Sequence, residues 1–237
     1  MNIKGTTESL VWALRSLLRG IRPSDRFQHD YTIDFDVTVP LPEGATRILE
    51  EVVGALREVG VDAIVAEGTL LGLVRDGRLI PHDTDLDLYV VDPSNAVKVV
   101  HYLESRGWIV GQHARIGSVS THVTLFNADR VLLDLTFFEQ VGQRLMSFKE
   151  RDGYLVIDDG VLLPPKAMSQ YEHLLIPNDP EVFLERYYGS DWRVPKESKM
   201  FWKDEYCGIF VREIDDIVLE RRAILRDAKR WAARPNA

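Results

Sequence analysis

Apolar residues recur along this chain with two spacings, one helical and one alternating, and the switches between them mark its elements. Leu10, Val11, Leu14, Leu17, Leu18 and Ile21 fall on one face of a helix over 7–21, with Arg15 and Arg19 off that face and Pro23 just beyond its end. Such a helix either lies in a membrane plane or packs on the protein body. Tyr31 to Val39 alternates and is rich in β-branched and aromatic residues, which predicts a strand. After Pro42-Glu43-Gly44, Ile48, Val52 and Leu56, joined by Leu49, Val53 and Val59, predict a helix over 45–59 capped by Gly60. A short buried strand follows over 62–66, then a short helix over 69–75, a strand over 86–91 and a helix over 93–106.

The stretch 108–138 reads as three strands, broken near Gly117 and at Asn127-Ala128-Asp129-Arg130. A further hairpin is expected to run to Leu163 through the turn signals Asp152-Gly153 and Asp158-Asp159-Gly160. After Pro164-Pro165 the expectation is helix, notably 180–188 and 211–231. The pattern predicts an α/β fold in one domain: an amphipathic helix over 1–22, an α/β core over 27–165 and a helical part over 166–237.

Composition changes this picture little. Apolar content of 45% and charged content of 28% over 237 residues are ordinary for a globular protein. One cysteine, Cys207, excludes an intrachain disulfide and a multi-cysteine zinc site. No apolar run is long enough to span a bilayer. The first residues lack a signal-peptide pattern because Arg15 and Arg19 interrupt the apolar run, so the expected compartment is the cytoplasm.

Charge is more informative. Lys4, Arg15, Arg19 and Arg22 against Glu8 leave residues 1–22 at +3, and six basic against two acidic side chains leave 217–237 at +4, while the whole chain is −8. The acidic body excludes a general nucleic-acid binder, and the basic ends suit contact with an anionic membrane surface.

The candidate chemistry lies in Glu67-Gly68-Thr69-Leu70-Leu71-Gly72 and Pro81-His82-Asp83-Thr84-Asp85-Leu86-Asp87-Leu88. Asp85 and Asp87 lie two apart at the start of an apolar strand, so they share a face. Two carboxylates held that close repel each other unless a divalent cation lies between them. Asp134 stands alone in the apolar strand Val131-Leu132-Leu133-Asp134-Leu135-Thr136-Phe137-Phe138, where an unpartnered carboxylate is costly. Together the three acids make an oxygen-only cage suited to Mg²⁺ or Mn²⁺ and to phosphoryl transfer, with Asp85, Asp87 and Asp134 as its ligands. Gly68 and Thr69 open the short helix, whose N–H groups suit phosphate approach. The alternative for Asp85 and Asp87 is a solvated acidic turn.

Gly-Thr, then Asp-x-Asp, then a distant strand aspartate resembles the nucleotidyltransferase fold, a mixed sheet flanked by helices. The longer blocks, Gly68 to Gly72, Arg75-Asp76-Gly77 and Ile80 to Asp87, resemble the LicD family of phosphorylcholine and fukutin-related phosphotransferases. Ile176-Pro177-Asn178, Phe183-Leu184, Tyr187-Tyr188-Gly189 and Asp191-Trp192 are similar to that family's C-terminal block. His82 stands where the family commonly has Trp.

The resemblance implies transfer of a phospho-alcohol (phosphocholine, or a polyol or glycerol phosphate) from a CDP-linked donor to a hydroxyl of a glycan or lipid-linked glycan, with release of CMP. It also implies that Asp85, Asp87 and Asp134 hold the metal. Two rivals stay open: a nucleotidyltransferase that acts on a small molecule with release of pyrophosphate, and a non-catalytic scaffold for glycosyltransferases. Roles around the cage stay open too. Arg75 is either a donor-phosphate clamp or a surface residue, His82 an acceptor contact or an exposed histidine, and Asp83 an orienter of the cage or a loop acid. Tyr188, Gly189, Asp191 and Trp192 either close the donor pocket or cap a helix. His122, on an alternating strand, reads as packed.

Overall fold

The computed structural model describes residues 27–31, 39–116, 119–149, 153–195 and 210–211. The expected helix over 7–21, all of the helix expected over 211–231 but Val211 (which is strand), nearly all of the strand expected over 31–39, both basic ends and Cys207 lie outside them. Elements in chain order are β1 (Phe27–Tyr31), α1 (Ala45–Glu58), β2 (Ala63–Val65), α2 (Glu67–Asp76), β3 (Asp85–Val91), a 3-10 turn (Pro93–Asn95) and α3 (Ala96–Ser105). They continue with β4 (Ile109–Ile116), β5 (Val119–Phe126), β6 (Leu132–Val141), β7 (Arg144–Lys149), β8 (Gly153–Asp158), α4 (Asp159–Leu162), β9 (Lys166–Met168), β10 (Tyr171–Ile176), α5 (Pro180–Tyr188) and β11 (Phe210–Val211).

The main sheet runs β1-β4-β5-β6-β3-β2-β10-β9. It is mixed: β3 lies parallel to β6 and β10 parallel to β2, while the other neighbours along this path are antiparallel. The far end of β6 leaves this sheet to pair with β7, which pairs with β8, which pairs with β11. The α/β expectation and the mixed sheet with flanking helices therefore hold.

Alternation dictates how β3 is used. Leu86, Leu88 and Val90 are buried on one face. On the other, Asp85 and Asp87 are half-buried, and Tyr89 is fully covered. Its ring lies 4.7 Å from Phe138 of β6 and 5.9 Å from Phe183 of α5. Helix α5, N-capped by the Asp179 carboxylate, which accepts from the Val182 N–H, buries Phe183, Leu184 and Tyr187. Aromatic packing thus closes the face behind the two aspartates and leaves their end of the strand open.

Two expectations need correction. The chain does not turn helical directly after Pro164-Pro165: β9 and β10 come first, and Leu175 of β10 pairs with Ile64 of β2. The apolar run Leu174-Leu175-Ile176 is too short for periodicity to separate strand from helix, and the vacant edge of β2 decides it. Of the two hairpin signals one holds and one does not. β7 and β8 pair antiparallel out to Lys149 and Gly153, so their connection falls at the Asp152-Gly153 signal. Asp158-Asp159-Gly160 closes no hairpin and opens α4 instead, and a further tight turn, with Gly142 at φ +62°, lies at Gly142-Gln143 between β6 and β7.

Candidate metal centre

The site begins as a matter of register. In the parallel pair β3–β6, Asp87 stands opposite Asp134, and Asp85 lies two residues earlier on the same face. One carboxylate oxygen from each acid lies within 4.8 Å of the others, and all three side chains are half-buried. Oxygens on opposite sides of an ion with bonds of about 2.1 Å are about 4.2 Å apart, so small side-chain rotations bring all three onto one hard cation. The donor set, oxygen alone, fits Mg²⁺ or Mn²⁺.

Asp87 is held on every side by the start of α2. Its Oδ2 accepts the Gly68 N–H at 3.0 Å and the Thr69 N–H at 3.4 Å. Its own N–H donates to Thr69 Oγ1 at 2.8 Å, and its carbonyl accepts the Ala66 N–H at 3.1 Å. The Gly-Thr turn therefore directs the positive end of a helix at an acid of the cage. The two N–H groups expected to meet phosphate are given to Asp87.

Gly68 is required by closeness. A Cβ there would stand 2.8 Å from Asp83 Oδ2 and 3.5 Å from Asp87 Oδ2. Asp83 belongs to the cluster. Its carboxylate accepts the Thr84 N–H at 3.1 Å, and its backbone is tied to Ile80 and Leu41.

Other predicted residues are placed elsewhere. Arg75, at the far end of α2, spends its guanidinium on its neighbour Asp76, with Nη2 to Oδ2 at 2.7 Å. His82 is exposed in the turn before Asp83. Gly189 ends α5 with its N–H bonded to Glu185 O, and Trp192 is buried behind it, as a helix cap would have them.

Two neighbours were not anticipated in these roles. Glu67, at φ +45°, accepts a hydrogen bond from Tyr89 Oη at 2.9 Å and another from Tyr187 Oη, so α5 is tied to the residue that precedes Gly68. No periodicity signals this. Thr124 of β5 donates to Asp134 Oδ1 at 2.7 Å. Here a signal was legible, since His122 and Thr124 flank the apolar Val123 and so line one face.

Electrostatics follow from this crowding. Burial first, then the charges of Asp134 and Asp83, push the Asp85 carboxyl well above the usual range. Burial, then Asp85 and Glu67, do the same to Asp87 despite its N–H partners. In the unfolded chain these groups ionise near ~3.9, so without a cation their contribution is fully present below that value and is lost as pH rises through the raised folded values. A divalent cation restores what is lost. The stabilisation that Mg²⁺ confers over EDTA is therefore expected to grow as pH rises above the ordinary carboxylate range, read as the difference in Tm. A difference independent of pH would show that these carboxyls do not take up the ion.

Residues 60–188, more than half of the chain, match the LicD/FKTN/FKRP nucleotidyltransferase domain family, a span that holds every acid described above. No curated protein matches the chain. Among solved structures, the lincosamide antibiotic adenylyltransferase LnuA with lincomycin bound is similar at 14% identity and a TM-score of 0.42, over 59% of this chain and 80% of that one. ANT(2")-Ia in complex with adenylyl-2"-tobramycin is similar at 14% identity and a TM-score of 0.42, over 77% of this chain and 98% of that one. Among the described residues, no helix is long and apolar enough to cross a membrane.

Proposed function

From the premise that the chain belongs to the LicD/FKTN/FKRP nucleotidyltransferase domain family, we propose that it moves a phospho-alcohol from a CDP-linked donor to a hydroxyl of a cell-surface glycan or its lipid-linked precursor. Membership in the family supports a transferase. The convergence of Asp85, Asp87 and Asp134 within 4.8 Å is the observation that carries the reading further.

In this reading the three carboxylates hold Mg²⁺ or Mn²⁺, which when bound would neutralise the donor diphosphate and stabilise the departing phosphate. The chain supplies the rest. The N-terminus of α2 fixes Asp87 by two N–H groups. Tyr89, next after Asp85 and Asp87 on their face of β3, packs on Phe138 and Phe183 and anchors the strand that carries them. The acceptor oxygen attacks the phosphorus that bears the alcohol, the bond from that phosphorus to CMP breaks, and CMP leaves with the electron pair. The hydroxyl proton passes to the Asp134 carboxylate or to an acid beside it.

A panel of CDP-alcohols with Mg²⁺ or Mn²⁺ tests this, scored for CMP. Release of CMP from one of them, dependent on a hydroxyl acceptor, is expected. Release of pyrophosphate from a nucleoside triphosphate, with every CDP ester inert, would replace this reading with nucleotidyl transfer. Absence of both, with no cytidine nucleotide stabilising the protein in a metal-dependent way, would leave a scaffold.

A further inference from the structure

Asp134 is the acid that the second strand brings to the cage. Asp87 has the start of α2, and Asp85 lies beside the charge of Asp83. On β6, Asp134 meets side chains of the next strand. Thr124 stands directly opposite it across the β5–β6 pairing, and His122 stands opposite Thr136. One rung of the sheet thus carries Asp87, Asp134 and Thr124 in line.

The hydrogen bonds along this face have a direction. An ionised carboxylate only accepts, so the single Thr124 O–H goes to Asp134 Oδ1 at 2.7 Å. The Thr124 oxygen is then left to accept, and His122 Nε2 lies 3.0 Å from it. His122 Nε2 therefore carries a hydrogen, and the other ring nitrogen accepts from Thr136 Oγ1 at 3.4 Å. The contact from His122 Nε2 to Asp134 Oδ1 itself is 3.5 Å, too long to do the holding. Thr124 is 4% exposed and β-branched, so its hydroxyl has little freedom to point elsewhere.

We infer that Thr124, backed by His122, is a positioning residue: it acts through Asp134, whose carboxylate it fixes in the orientation at which three acids can share a cation. This rests on the reading that the cage binds a divalent ion. Partners that orient metal ligands change metal affinity by about 10–100-fold when removed.

The test is direct binding of Mn²⁺, alone and with CMP, measured by titration calorimetry on the full chain, alongside Tm and far-UV circular dichroism. Thr124→Val keeps the shape and loses the hydroxyl. It is expected to bind Mn²⁺ about tenfold or more weakly with its fold retained, while Thr124→Ser restores binding. His122→Leu, at the more exposed end of the row, is expected to show a smaller loss, and it carries the test if Thr124→Val does not fold. If the wild type binds Mn²⁺ and Thr124→Val or His122→Leu binds it equally well, the positioning role is overturned and the cation site stands. Thr124→Ser as weak as Thr124→Val assigns the effect to packing and also overturns it. A wild type that takes up no Mn²⁺ with or without CMP overturns the cation site and this inference together.

Discussion

Asp85→Asn is expected to abolish transfer and, in EDTA, to raise the melting temperature above that of the wild type. The two effects have one origin. The Asp85 carboxyl is forced up by burial and by the charges of Asp134, Asp83 and Glu67, so in the absence of a cation it opposes the fold whenever it is ionised. An amide of the same shape removes that cost. It also removes a ligand, and with it charge stabilisation of several kcal/mol, which at about 1.4 kcal/mol per decade is a loss of about a thousandfold or more in rate. Thermal unfolding in EDTA checks the first half. The advantage of the variant should grow as pH rises and shrink as pH falls toward the ordinary carboxylate range and the wild-type carboxyl takes up its proton. A variant that loses both activity and apo stability would make Asp85 a structural acid.

Gly72→Ala should unsettle the same site without touching an acid. A Cβ on Gly72 would stand 2.7 Å from Arg78 O and 2.9 Å from Ile80 N. Both are main-chain atoms and neither can swing aside, so α2 and the segment leading to Asp83 and Asp85 must separate. Overpacking of this kind costs about 1–3 kcal/mol, and the upper end applies because backbone has to move. In a chain of this size that lowers Tm by roughly 5–10 °C, with loss of cation binding. Gly54→Ala is the control. It lies inside α1 with nothing within 4 Å of the added carbon, and it should raise stability by about 0.4–1 kcal/mol. Equal effects of the two substitutions would mean that the contact at Gly72 is not tight.

The legible parts of this fold were those written in local pattern. Asp85 and Asp87 announced themselves by spacing, and Asp134 by its isolation in an apolar strand, because a buried acid needs a partner. The helix α1 and the strands β4, β5 and β6 followed from periodicity and turn residues to within a few positions. Illegible were the features that depend on distant pairing. β10 is a strand because β2 offers it an edge, which no window of the sequence contains. The Gly68 and Thr69 N–H groups were read as donors to phosphate, but they go to Asp87, whose approach is fixed by the antiparallel pairing of β2 and β3. Arg75, read as a phosphate clamp or a surface residue, gives its Nε and Nη2 to its neighbour Asp76.

The tie between Tyr187 and Glu67 spans 120 positions, and the pairing of β10 with β2 is nearly as remote. A ribosome adding about 5–20 residues per second needs roughly 6–24 s to make that stretch. For that interval the emerging chain holds its acid-bearing strand complete, one edge of β2 bare and Glu67 short of a tyrosine. A bare strand edge is the kind of surface that a holding chaperone covers, and Glu67 gains its second tyrosine only once α5 has been made.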